Sequence, residues 1–184
     1  ASLATYGNNV AVGHNAGHET TTADNVWIGY QTGYHSESSG SVAVGKQSGY
    51  YPHGNLNTFV GFKAGMGNSS VTTANANVGV GANALLAISS AEQSVAIGYD
   101  AGKAITTANK TVAIGYQAGE SITTGGDNVL IGHQAGKNTT GQYNVMMGKG
   151  AGSANTNPNG NTFIGNNAAA LNTTGYHSVV VGFQ

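Results

Sequence analysis

The sequence predicts an all-β fold: a parallel β-solenoid of the β-roll or β-prism kind, whose eleven coils of 16–17 residues fill positions 1–184 as a single repeat domain. Three observations predict it. First, a glycine closing a short β-branched run recurs at Gly13, Gly29, Gly45, Gly61, Gly81, Gly98, Gly115, Gly132, Gly148, Gly165 and Gly182, at spacings of 16, 16, 16, 20, 17, 17, 17, 16, 17 and 17. Second, the residue one before that glycine is Val or Ile in every copy but Met147, and the residue three before it is Val except at Thr58 and Thr162. Third, glycine supplies 30 residues, and Val, Ile, Thr and Asn stand where a helix would carry Leu, Glu and Lys. A propeller is excluded by length, since each blade takes roughly 40 residues.

Each side of a coil can be justified in chain order. Four before the reference glycine stands a small polar residue in every copy, from Asn9, Asn25 and Ser41 to Asn161 and Ser178. Next come two β-branched residues at alternate positions, which share one face of a strand. Three after the glycine sits a small residue such as Ala16, Ser48 or Ala118, followed by glycine in eight of ten copies, as a tight corner with positive φ requires. Paired threonines then recur seven to nine residues ahead of the next reference glycine, at Thr21 and Thr22, Thr72 and Thr73, Thr106 and Thr107, Thr123 and Thr124, Thr139 and Thr140, and Thr173 and Thr174. They mark a further corner where hydroxyls and amides bond from coil to coil. Stacking at about 4.8 Å gives a rod on the order of 50 Å long.

The position two before the glycine lies between the paired β-branched residues. If those face the interior, it faces outward. It reads Ala11, Trp27, Ala43, Phe59, Gly79, Ala96, Ala113, Leu130, Met146, Phe163 and Val180, with no polar residue in eleven. So long an apolar stripe exceeds what a soluble monomer exposes. The expectation is therefore a parallel homotrimer, intertwined or side by side, with Trp27, Phe59, Leu130, Met146, Phe163 and Val180 packing between chains. Covering of the stripe by the chain's own corner loops is the alternative. Bare solenoid ends expose strand edges, so end-to-end stacking within a longer fibre is also expected.

Composition narrows the function classes. Charged residues make up 7%, the six Lys and Arg are all lysines, and the net charge is -1, which argues against a nucleic-acid binder, since phosphates need clustered Lys/Arg and bidentate base reading needs Arg. No cysteine is present, so disulfides, thiolate catalysis and Cys-ligated zinc are excluded. No run approaches the roughly 20 apolar residues of a membrane helix. Of the seven acids, Asp24 and Asp127 share a repeat position but lie six coils apart, about 30 Å by coil rise. A site at a subunit junction could combine Glu92 or Asp100 with residues from a neighbour, but solvated surface acids are the expectation. His14, His18, His35, His53, His133 and His177 form no His-x-His pair, and an axial site would need three copies of one histidine around a three-fold axis. The glycines precede strands rather than helices, so they do not make a phosphate loop. Asn-x-Ser/Thr sequons at Asn68, Asn109, Asn138 and Asn172 are expected by chance in so Asn- and Thr-rich a chain. The sequence thus predicts no enzyme, cofactor or metal. Tyr30, Tyr99 and Tyr116, each directly after a reference glycine, are the candidates for surface binding, as exposed aromatics beside amides suit sugar stacking or receptor contact.

Segments 8–17 (NNVAVGHNAG), 94–102 (SVAIGYDAG), 111–119 (TVAIGYQAG) and 123–136 (TTGGDNVLIGHQAG) resemble the shaft repeats of bacteriophage tail fibres and tail spikes, and are similar to the head repeats of trimeric autotransporter adhesins. The resemblance spans essentially all 184 residues. Its Gln-Ala-Gly and 16–17-residue period sit nearer the phage version than the shorter adhesin repeat. It implies a trimeric rod on a virion or other extracellular surface, a structural or adhesive shaft that contacts a host glycan or protein receptor. A self-stacking extracellular filament and a carbohydrate- or ice-binding solenoid are the alternatives; threonines adjacent at a corner, not alternating along a strand, disfavour ice.

Overall fold

The computed structural model describes residues 7–51, 54–68, 73–157 and 159–184, so His53 and Thr72 of the sequence reading lie outside the described residues. The fold is a β-solenoid with eleven parallel strands: β1 (Val10–Val12), β2 (Val26–Ile28), β3 (Val42–Val44), β4 (Thr58–Val60), β5 (Val78–Val80), β6 (Val95–Ile97), β7 (Val112–Ile114), β8 (Val129–Ile131), β9 (Val145–Met147), β10 (Thr162–Ile164) and β11 (Val179–Val181). They form one sheet in strict chain order, each strand pairing with the next in the same register, as in Ala96↔Ala113 and Ala113↔Leu130. Each coil closes within its own chain. The longer spacing after Gly61 is absorbed between β4 and β5 without a change of register.

The reference glycines are dictated by the approach of the next coil. Their φ values run from +128° to +143°, and a Cβ on Gly115 would lie 2.4 Å from the carbonyl oxygen of Gly132. A side chain has no room there. The coil then turns through left-handed residues two and four positions on, such as Gln117 at φ +53° and Gly119 at φ +58°, and through another just before the strand, such as Lys110 at φ +54°. Leu85 and Ala169 hold the corner position that is otherwise glycine, at φ +52° and +51°.

The interior is on the opposite side of the strand from the one expected. Trp27, Phe59, Leu130, Met146 and Phe163 are at most 1% exposed and belong to the core of their own chain; Val180, in the last coil, packs against the same core half-buried. They therefore do not pack between chains, and the Val/Ile positions on either side of them face outward. Alternation with a period of two was the right inference, but its phase was inverted. The reason is space. The narrow coil accommodates a large residue at one point of its circumference when another point is small. Coils with Gly79, Ala96 and Ala113 in the strand carry the buried Ile88, Ile105 and Ile122 seven residues after their glycine, whereas Trp27 and Met146 are matched there by the smaller buried Ser36 and Asn155. Corner glycines complete the fit. A Cβ on Gly33 would meet the Trp27 ring at 2.5 Å, and one on Gly65 the Phe59 ring at 2.3 Å.

Buried polar residues are bound into a ladder along the axis. The Asn25 side chain accepts from the Ser41 N–H (2.9 Å), Asn57 from the Asn77 N–H (3.0 Å), Asn77 from the Ser94 N–H (2.9 Å) and Asn128 from the Asn144 N–H (2.9 Å). Ser41 and Ser94 take the same part through their hydroxyls, accepting from Asn57 and Thr111. Among the described residues, the only buried side-chain polar atoms without a protein partner are Trp27 Nε1 and the amide of Asn155. Threonines tie the corner to the following coil, Thr106 donating to the Thr123 carbonyl at 3.0 Å and Thr156 to that of Thr173 at 3.3 Å.

Candidate interaction surface

With the middle strand residue turned inward, the outer sheet face consists of the two β-branched columns. Every outward position of β1–β11 is Val, Ile or Met apart from Thr58 and Thr162, and none is charged. The side chains are half-buried by stacking on one another and still open to solvent. Val60 is 36% exposed and Ile97 39%, well inside the rod, so this is no end effect. Polar decoration would be expected on the open face of an isolated sheet. An apolar ladder running the length of eleven strands is the opposite, and makes this face the candidate interaction surface.

One column of side chains borders this face on each side. Directly after the reference glycines stand the sequence-predicted Tyr30, Tyr99 and Tyr116, all exposed, in line with His14, Lys46, Phe62, His133 and Lys149. Their ring faces are turned toward one another along the axis. Tyr99 stacks on Tyr116 with centroids 5.6 Å apart, Tyr116 on His133 at 5.0 Å, and His14 on Tyr30 at 5.4 Å, while Lys46 Nζ lies 5.7 Å from the Tyr30 centroid. Stacked rings offer edges and hydroxyls outward, which favours packing against protein over stacking on a sugar. The opposite border, five before the glycine, carries Asp24, Leu56, Ala76, Lys110, Asp127 and Tyr143, all exposed.

A second aromatic group lies at the first corner of the early coils. His18, Tyr34 and Tyr50 stack in one column (4.8 and 5.3 Å) and His35 and Tyr51 in the next (5.3 Å), with Glu19 Oε2 2.5 Å from His35 Nδ1. Burial, and then the neighbouring Tyr51, Tyr34, Glu19 and Tyr30, raise the Tyr50 hydroxyl above the ordinary phenol range. Farther along the same corner, Leu86, Ala87, Lys103, Ala104, Glu120 and Ser121 line a shallow groove of about 450 Å³.

The remaining candidates are held in structural contacts. Asp100 is buried, accepting from Asn83 at 2.9 Å with Lys103 Nζ 3.3 Å away; Glu92 accepts from Asn75 at 3.1 Å; Glu120 pairs with Lys137 at 3.5 Å. Among the described residues no group of three His, Asp or Glu is placed to hold a metal ion, and no helix is long and apolar enough to cross a membrane. No family model, curated protein or solved structure matches this chain.

Proposed function

We propose that this chain is a structural and adhesive fibre segment: a solenoid rod that associates side by side with two further copies through its outer strand face, on a virion or other extracellular surface. The observation that carries the reading is the solvent-open Val/Ile ladder along β1–β11. On each copy it spans a length of roughly 50 Å, and with its borders a width of up to about 20 Å. That is roughly 1,000 Å² per chain, shared between two neighbours in a trimer, so each pairwise contact buries about 1,000 Å² in total, at the lower bound of a specific interface. The coil-to-coil ladders of backbone, amide and aromatic contacts suit a load-bearing shaft that holds a tip away from a surface, with contact to a host glycan or protein receptor along its exposed corners. In this reading the chain performs no catalysis and needs no cofactor.

The test is the mass of the intact chain in solution by light scattering with size exclusion. A discrete trimer is expected. A monomer at micromolar concentration overturns the reading, and a polydisperse series of long polymers favours the end-to-end filament instead.

A further inference from the structure

We infer that the two columns bordering the outer strand face are the two halves of one interface between copies of this chain, joined in register: the residue five before the reference glycine of one copy meets the residue one after the glycine of the same coil in the next copy. The inference rests on the side-by-side reading above and adds its symmetry, register and pairs.

Within one chain these columns cannot meet. Six residues separate them, with an extended strand between, so they stand roughly 15–20 Å apart on opposite margins of the face. Copies related by rotation about an axis parallel to the rod, however, always bring the left margin of one face to the right margin of the next. A pure rotation carries no translation along that axis, so coil faces coil at the same level. The rise over six residues is only about a third of the ~4.8 Å coil spacing.

The residues that this operation joins suit one another. In the coil of β4 the two margins are Leu56 and Phe62, 67% and 45% exposed, a solvent-open apolar pair. In the coil of β5 both are alanine, Ala76 and Ala82, two small residues facing each other. Lys110 is matched with the outward edge and hydroxyl of Tyr116 in the coil of β7, whose ring faces are taken by Tyr99 and His133, and Tyr143 with Lys149 in that of β9, a cation set against an aromatic ring. Asp127 is matched with His133 in the coil of β8. No coil brings two like charges together. An offset of one coil would place Asp127 against Lys149 but Lys110 against His133 and Leu56 against Ala82. Repeated around the axis, that offset cannot close and builds an open screw filament.

The absence of native cysteine makes cross-linking decisive. The full chain carrying Asp127→Cys and His133→Cys is treated with a short bismaleimide and compared with the offset pair Asp127→Cys and Lys149→Cys. The expected result is a covalent ring of the native oligomer's mass from the first pair and a several-fold lower yield from the second; Lys110→Cys with Tyr116→Cys repeats the in-register test one coil away. Preferential linkage of the offset pair overturns the inference in favour of the screw. So does a native-mass oligomer that neither in-register pair links, a result that leaves the side-by-side reading standing. A monomer by light scattering removes both. Charge reversal gives an independent readout. Asp127→Lys should weaken association at least tenfold, its backbone already matching that of Lys110, and His133→Glu in the same chain should restore it. Failure of that rescue while the variants remain folded counts against the pairing.

Discussion

At the scale of single residues, what fixes this molecule is the closeness of successive coils. Gly115 stands where a Cβ would strike the backbone of Gly132, at a φ that L-residues avoid. Gly115→Ala should lower stability by about 2–5 kcal/mol, the sum of strain and overpacking, in denaturant unfolding. Gly182 has the same kind of backbone but nothing within 4 Å of a built Cβ, so Gly182→Ala should show the strain alone, about 1–3 kcal/mol. The amide ladder gives a second residue-scale test. Asn77 donates to Asn57 and to the Ala91 carbonyl and accepts from the Ser94 N–H. Asn77→Ala leaves the Ala91 carbonyl and the Ser94 N–H without that partner and should cost about 2–4 kcal/mol. Asn77→Ser should recover part of this by accepting the backbone N–H, as Ser41 and Ser94 do in their own coils, and urea midpoints of the three proteins would rank them.

At the scale of the coil, the sequence announced the elements clearly and the inside of the coil poorly. Glycine spacing, the β-branched pairs and the small polar residue before each strand located all eleven strands and both corner glycines. The facing was missed because β-branched residues were assumed to be buried, a preference that describes sheets packed against a second layer. A coil this narrow has no such layer. Its strand meets its own corners, and the residue it buries must fit whatever those corners supply. The readable signal is therefore compensation of volume between two positions nine residues apart, Ala113 with Ile122 against Met146 with Asn155, and not hydrophobicity at either one. Columns such as Tyr99, Tyr116 and His133 were legible as exposed, but their mutual stacking depends on the exact superposition of coils, which no spacing argument supplies. Compensation can be tested directly. Ala113→Phe should destabilise the rod by about 1–3 kcal/mol through overpacking, and Ile122→Ser added to it should restore at least half of that, whereas Ile122→Ser alone leaves a cavity and destabilises. Strict additivity of the two substitutions would mean that the positions do not share space.

At the scale of the whole molecule, the phase of the strand separates folding from association, because neighbouring residues of one strand answer to different partners. Ala113 is fully buried in its own coil, while Ile114 next to it and Ile97 one coil earlier lie on the outer face. A lysine at 113 would put a charge in an apolar interior and should unfold the chain, lost in circular dichroism together with the oligomer. Lysines at 97 and 114 keep their charges in water in the separated chain and become costly only when a second copy covers them. Ile97→Lys with Ile114→Lys should therefore yield a folded monomer whose circular dichroism matches that of the parent chain and whose light-scattering mass is a single copy. If that double variant retains the parent's oligomeric mass, the outer ladder is not what holds the copies together, and association must run through the corners instead.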